Sequence, residues 1–309
     1  MVNKKVVVVG SGFVGATTVY TMMMNGTADE IVIIDLNREK AEGDMLDMLH
    51  GMSFLPPVKL RVGDYADCAG AALVILTAGA AQKPGETRLD LLKKNKAVFS
   101  SILTAMLPHL SQNAILLTVT NPVDVLTKYV LDVSGLPPAR VIGSGTVLDT
   151  SRLRVAIARH VGVDARNVHT FVIGEHGDSE VAAFSATTVG GLSLTDYCKT
   201  CRECGDPVCE LSSLHEEVRG AAYEIISKKG ATYYAVALAV NRIAEAILCD
   251  QKAILTVSGL INGLYGIQNT CLSLPCVVGA GGIERVLEVP FSEQEIEGLR
   301  KSAAAINEA

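Results

Sequence analysis

One stretch near the start constrains this chain more than any other: Lys5-Val6-Val7-Val8-Val9 runs directly into Gly10-Ser11-Gly12-Phe13-Val14-Gly15. A continuous β-branched run suits a parallel strand buried on both faces. The three glycines then have separate tasks. Gly10 permits a tight turn, Gly12 lets a pyrophosphate approach the backbone, and Gly15 lets the following helix pack closely on the strand. The helix N-terminus adds unpaired N–H groups suited to phosphates. Taken alone the pattern is weak, and the chain carries its own decoy. Gly279-Ala280-Gly281-Gly282 also follows an apolar run, but it leads into another strand-like stretch, 283–289, and reads as a hairpin turn. What strengthens the first motif is the next apolar run, Ile31-Val32-Ile33-Ile34, which ends in Asp35 about twenty residues past Gly15. A carboxylate there accepts hydrogen bonds from ribose hydroxyls and repels a 2′-phosphate, so NAD is expected rather than NADP. The alternative for Asp35 is a turn carboxylate after a strand.

Further strand-like runs at 58–62, 72–76 and 114–119 have helical segments between several of them. This alternation predicts an α/β architecture: a Rossmann-type doubly wound parallel sheet over residues 1–143, followed by an α+β catalytic domain over 144–309. Ligands of such sheets sit beyond the C-terminal strand ends, which places Thr77-Ala78-Gly79-Ala80 and Thr120-Asn121-Pro122 at the site. The Asn121–Pro122 bond is a candidate cis peptide. With 49% hydrophobic and 19% charged residues, the chain has material for a large packed core. A net charge of −6 argues against a nucleic-acid partner. The most apolar helix candidate, 231–249, is interrupted by Asn241, Arg242 and Glu245 and reads as a buried helix, not a membrane span. The opening residues have no export pattern, so the eight cysteines are expected to be reduced thiols in a cytoplasm. Four of these, Cys198, Cys201, Cys204 and Cys209, have a spacing compatible with zinc or an iron–sulfur cluster. The polar segment around Gly205-Asp206-Pro207 equally suits a surface insertion without metal, and no metal is expected.

The second half holds residues with chemical potential. Gly174-Glu175-His176-Gly177-Asp178 follows the apolar Phe171-Val172-Ile173, so a histidine sits in a tight loop at a strand end. It is either a rigidly presented imidazole or a turn with an incidental one. Thr146 and Asp149 have capping-box spacing at the start of a helix, with Arg152 further on. Asp149 either caps that helix or pairs with His176, leaving Arg152 to offer a planar fork to a substrate carboxylate. Ser292-Glu293-Gln294-Glu295 is a capping box with no chemistry attached. Arg88 ends a stretch containing Pro84 and Gly85. It is either a solvated charge at a helix start or part of a loop that closes over bound ligands.

Together these residues resemble the lactate/malate dehydrogenase family, in its bacterial allosteric L-lactate branch. The resemblance runs from residue 4 to the last helix. It rests on the 10–15 loop with Asp35, the 82–88 loop, Asn121-Pro122-Val123-Asp124, Asp149 with Arg152, the 174–178 loop, and Gly230-Ala231-Thr232-Tyr233-Tyr234. It implies NAD as cofactor, bound by Gly10, Gly12, Gly15, Asp35 and Asn121 and further by Val14, Lys40, Tyr65, Gly79, Ala80 and Ser101. It implies that protonated His176, oriented by Asp149, gives a proton to the ketone of pyruvate as hydride arrives. Arg152 would fix the carboxylate, Arg88 would stabilise charge growing on the oxygen, and Asn121 would lie near the carbonyl.

Gln82 stands where malate enzymes carry an arginine, and Thr232 matches the lactate pattern. A neutral site leaves oxaloacetate's second charge unpaired, so pyruvate and L-lactate are the expected substrates. Malate, a branched 2-hydroxy acid, or non-catalytic NAD binding are the alternatives. Arg154 and His169 match the pair that binds fructose 1,6-bisphosphate in allosteric members; otherwise they are a helix-surface arginine and a strand-end histidine. The resemblance also implies a homotetramer.

Overall fold

The computed structural model describes residues 4–80, 88–200 and 207–308, without the side chains of 88–89 and 207–210. In the first half, strands β1 (Lys5–Val9), β2 (Glu30–Ile34), β3 (Lys59–Val62), β4 (Leu73–Leu76), β5 (Ile115–Thr118) and β6 (Val141–Gly143) line up in parallel in the order β3-β2-β1-β4-β5-β6. Helices α1 (Phe13–Asn25), α2 (Arg38–His50), α3 (Arg88–Met106) and α4 (Val123–Ser134) alternate with them. This is the doubly wound arrangement that the alternation predicts.

The side-chain period of two explains why the strands are apolar throughout. Val6, Val8, Ile31, Ile33 and Ile75 face a core layer shared with Val19, Met22 and Met23 of α1. Val7, Val9, Val32, Val74 and Leu76 face the opposite layer, packed on Phe99, Leu103 and Met106 of α3 and on Leu126 and Val130 of α4. Each such aliphatic side chain contributes roughly 1.5–3 kcal/mol on burial, so both faces need a helical cover.

The second half begins with α5 (Val147–Val161) and a run of short strands, β7 (Val168–His169), β8 (Val172–Ile173), β9 (Val181–Ala182), β10 (Thr188–Val189) and β11 (Leu192–Ser193). Helices α6 (Leu194–Thr200), α7 (Pro207–Lys229) and α8 (Tyr234–Leu248) follow, then β12 (Ala253–Ile261), β13 (Thr270–Gly279), β14 (Gly282–Val286) and α9 (Glu293–Glu308). The last three strands extend the first-half sheet. β12 joins β6 through Ser258 and Gly143, and β13 and β14 continue antiparallel, giving nine strands in one sheet.

The decoy glycines do form the β13–β14 hairpin, with Gly279 opposite Gly282. Helix α8 is shorter than the 231–249 run and less buried than expected. Val240, Ile243 and Ile247 join the core layer of α1, whereas Tyr234 and Leu238 are exposed. Among the described residues, no helix is long and apolar enough to cross a membrane.

Candidate active site

The order of the parallel strands reverses between β1 and β4, and the glycine loop opens there. Gly10 and Gly15 both sit where a side chain has no room. A Cβ on Gly10 would lie 2.6 Å from the Ala78 nitrogen, and one on Gly15 would lie 1.8 Å from the Gly10 carbonyl oxygen. Gly12 is different: it caps α1, is exposed, and a Cβ there would meet nothing within 4 Å. The loop therefore presents bare backbone and the α1 N-terminus to open space, a cradle that fits a pyrophosphate.

Asp35 stands at the end of β2, beside this loop. Its carboxylate accepts the Ser11 N–H at 2.5 Å and the Asn37 N–H at 2.8 Å. Lys40 reaches back from α2 to donate to the Ser11 carbonyl and to Asp44, and Ser11 Oγ donates to Asp44 at 2.6 Å. Tyr65 lies half-buried near Asp35, and burial first, then nearby negative charge, raises its phenol above the usual range. Val14 is partly buried in the first turn of α1, and Gly79 and Ala80 are exposed past the end of β4. Ser101 is exposed on α3. Together these positions fit an NAD molecule lying across the strand ends.

Asn95, which sequence reasoning missed, links the two strand-end loops. It is 1% exposed; its Oδ1 accepts the Ala80 N–H at 2.8 Å, and its Nδ2 donates to the Asn121 carbonyl at 2.8 Å. Nothing in Lys93-Lys94-Asn95-Lys96 signals this, because the side chain turns inward only once α3 has packed on the sheet. The Asn121–Pro122 peptide is cis, as expected, and the Asn121 side chain is exposed at the opening.

In the second half of the chain, α5 and the 174–180 loop meet. The Asp149 carboxylate bridges two cations: Oδ2 lies 2.5 Å from His176 Nδ1, and Oδ1 accepts from Arg152 Nη1 at 2.8 Å. Asp149 does not cap α5. Thr146, at the N-cap, turns its hydroxyl onto the Val172 and Thr256 carbonyls instead. The capping alternative therefore fails, because the interior offers both polar side chains better partners. In contrast, Ser292 and Glu295 do form the reciprocal box at α9.

His176 is held through its backbone as well. Its N–H donates to Asp124 Oδ2 at 2.8 Å, and Asp124 Oδ1 accepts from Ser258 Oγ at 2.6 Å. Burial pushes the Asp124 carboxyl up to about 6, against the pull of the Ser258 hydroxyl and the His176 N–H. Neither partner was singled out from sequence, although Asp124 closes the Asn121-Pro122-Val123-Asp124 stretch. Gly174, with φ +90°, turns the chain while exchanging backbone bonds of 2.9 Å with Ser273, and only glycine takes that turn without strain.

Burial disfavours the charged imidazole, but the Asp149 charge and hydrogen bond outweigh it and raise His176 to about 9. The His176 side chain is still 24% exposed, so a ligand can reach it. Asp149 itself is held below the usual carboxylate range; burial opposes this, and the His176 and Arg152 cations prevail.

Thr232 lies partly buried between α7 and α8, next to Tyr233, whose ring stacks on Phe13 of the glycine loop at 5.1 Å. The fold thus brings His176, Asp149 and Arg152 together. The Arg88 side chain and Gln82 lie outside the described residues, although α3 starts at Arg88. Cys201, Cys204 and the Cys209 side chain also lie outside them, while Cys198 is a buried free thiol. Arg154 and His169 line a common hollow of about 520 Å³ with Arg242. There Arg154 also donates to the Val168 carbonyl at 2.8 Å, and His169 is exposed.

Residues 4–143 match the model of the lactate/malate dehydrogenase NAD binding domain, and residues 146–309 match that of the lactate/malate dehydrogenase alpha/beta C-terminal domain. The chain is 53% identical over 307 residues to an L-lactate dehydrogenase of Acetivibrio thermocellus, covering 99% of this chain and 96% of that one. It is 49% identical over 308 residues to L-lactate dehydrogenase 1 of Clostridium acetobutylicum, covering 99% and 97%. The structure superposes on a minor L-lactate dehydrogenase from Enterococcus mundtii with a TM-score of 0.95 at 42% identity, covering 100% of this chain and 98% of that one.

Proposed function

The chain belongs to the lactate/malate dehydrogenase family, and on that premise we propose that it is an L-lactate dehydrogenase, reducing pyruvate to L-lactate with NADH and catalysing the reverse reaction. In this reading residues 1–143 form the NAD-binding domain and residues 144–309 the catalytic domain, with Gln82, Arg88 and Asn121 reaching the substrate from the first. The observation that carries it is the bonded series Arg152–Asp149–His176, which joins a carboxylate-binding fork to a proton donor through one buried acid.

NADH supplies the hydride when bound. His176 is charged at neutral pH, with Nδ1 held by Asp149, so Nε2 is the nitrogen that gives a proton to the ketone oxygen. Asp149 fixes the ring and sustains the imidazolium until that proton leaves. Arg152 spends one N–H on Asp149 and offers the rest to the substrate carboxylate, which fixes the face presented to the cofactor. Arg88 stabilises charge growing on the ketone oxygen. Gln82 and Thr232 leave the far end of the substrate without a cation, which favours pyruvate over oxaloacetate.

Arg154 and His169, sharing one hollow with Arg242, support a fructose 1,6-bisphosphate site that activates the enzyme. The assembly is a homotetramer working in the cytoplasm.

Near-ultraviolet absorbance of NADH, followed with pyruvate and with oxaloacetate, tests the assignment. Pyruvate should give the higher kcat/KM by orders of magnitude; preference for oxaloacetate removes it. Titrating the sugar bisphosphate at subsaturating pyruvate tests the regulation, and unchanged activity and tetramer stability would remove that part.

A further inference from the structure

One acid of the first half reaches across to the second. Asp124 lies in the first turn of α4, three residues after Asn121 and just past the cis Asn121–Pro122 peptide. It is only 2% exposed, so it acts through its neighbours. A carboxylate taken out of water is costly unless donors satisfy it. Here each oxygen has its own donor, and the two donors come from distant parts of the chain. Oδ2 accepts the His176 N–H at 2.8 Å, and Oδ1 accepts the Ser258 hydroxyl at 2.6 Å.

Ser258 marks a joint. It is the β12 residue paired with Gly143 of β6, where the second-half strands join the parallel sheet. It is fully buried, and a Cβ on Gly143 would stand 2.8 Å from the Ser258 Cβ, so the joint is tightly closed. The neighbouring Glu175 N–H is held as well, by Ser302 Oγ of α9 at 2.7 Å. That bond ties the loop to its own half of the chain. The Asp124 bond ties it to the first half, which carries Asn121.

We propose that Asp124 is a positioning residue for the reaction: by gathering the His176 N–H and the Ser258 hydroxyl on one carboxylate, it fixes His176 relative to Asn121, so that both side chains address one ketone. The inference rests on the reading of His176 as the proton donor and of Asn121 as a neighbour of the carbonyl. Its weight comes from geometry, since misplacing a reacting group by about 1 Å can cost a hundredfold in rate.

Asp124→Ala removes both bonds. Deuterium exchange of the ligand-free protein, read by mass spectrometry, should quicken about tenfold over 174–178 relative to the 10–15 loop. The kcat for pyruvate reduction, counted per NADH-binding site, should fall by about 10–100-fold. Arg152 and the glycine cradle are untouched, so KM for pyruvate and NADH affinity should stay within roughly twofold. General destabilisation would instead lower the number of NADH sites and leave kcat per site unchanged. Asp124→Asn is the conservative rescue. Its carbonyl can accept the N–H while its amide donates to the Ser258 oxygen, so kcat should stay within roughly fivefold of the unaltered protein.

The proposal is overturned if either loop exchange or kcat per site is unchanged in Asp124→Ala, or if Asp124→Asn is equally slow. Should Asp124→Ala not fold, Ser258→Ala decides. It removes one support and should lower kcat by roughly fivefold, and unchanged exchange and kcat overturn the proposal. An unaltered protein that does not turn over pyruvate, with a loop that still loosens in Asp124→Ala, would instead refute the proton-donor reading and leave the hold on the loop standing.

Discussion

The glycine loop at 10–15 and the histidine loop at 174–180 are built on opposite principles. The first works through what is missing. Bare backbone, a helix N-terminus and the absence of side chains make the cradle, and all of it lies within a few residues of β1. The second works through what is added. His176 is held by Asp149 on α5 through its ring and by Asp124 on α4 through its backbone, so its chemistry depends on several elements docking together. A site made of backbone shape is local, whereas a site made of charge is assembled.

The largest effect expected from breaking the assembled loop comes from His176→Asn. It should lower kcat for pyruvate reduction by about 10²–10⁴-fold, the usual contribution of a general acid, while fluorescence titration finds NADH affinity nearly unchanged. A loss of NADH binding of the same size would mean that the two loops are not separate. Arg152→Lys keeps the charge but loses the planar fork. It should reduce kcat/KM for pyruvate by roughly 10–100-fold, mostly through KM, as steady-state kinetics would show.

The pH dependence sharpens the same comparison. In the proposed mechanism the protonated imidazole is the active form in reduction, so the rate should hold from neutral pH and fall as pH rises through about 9. The decline above that point should be about tenfold per pH unit. Lactate oxidation, which needs the neutral ring, should rise through the same range. A midpoint near 6.5 in the pH–rate profile would show that Asp149 does not govern the imidazole.

The smallest effects separate two glycines of the local loop. Gly15→Ala forces a Cβ against the Gly10 carbonyl and should cost about 1–3 kcal/mol of stability in denaturant titrations. Gly12→Ala meets nothing within 4 Å, and its φ of −71° suits alanine. It should leave stability within about 0.5 kcal/mol yet weaken NAD binding, measured calorimetrically. Equal destabilisation by both substitutions would contradict the open cradle.

How far each loop can be read from the sequence follows from this contrast. The four-valine run, the glycine spacing and Asp35 predict β1, its turn, α1 and the end of β2, since each depends on neighbours within the chain. The β13–β14 turn and the capping box at α9 are legible for the same reason. At α5 the same style of inference leaves two outcomes. Thr146 and Asp149 have capping-box spacing, and only the packing of Val172 and His176 against that helix turns both side chains away from the cap. Asn95 is less legible still. It sits among lysines on an ordinary helix, yet it joins the Ala80 and Asn121 loops.

By itself, then, the sequence determined the alternating strands and helices, the backbone cradle and the identities of the histidine, aspartate and arginine. Tertiary structure alone decided that Asp149 pairs with the imidazole and does not cap α5, that Asp124 and Ser258 hold the backbone of His176, and that β12, β13 and β14 complete the first-half sheet. The physical reason is range. Steric and hydrogen-bonding preferences of the backbone act over a few residues and leave their mark in local spacing. The ionisation of a buried group answers to every charge that folding brings within a few ångströms, whatever its distance along the chain.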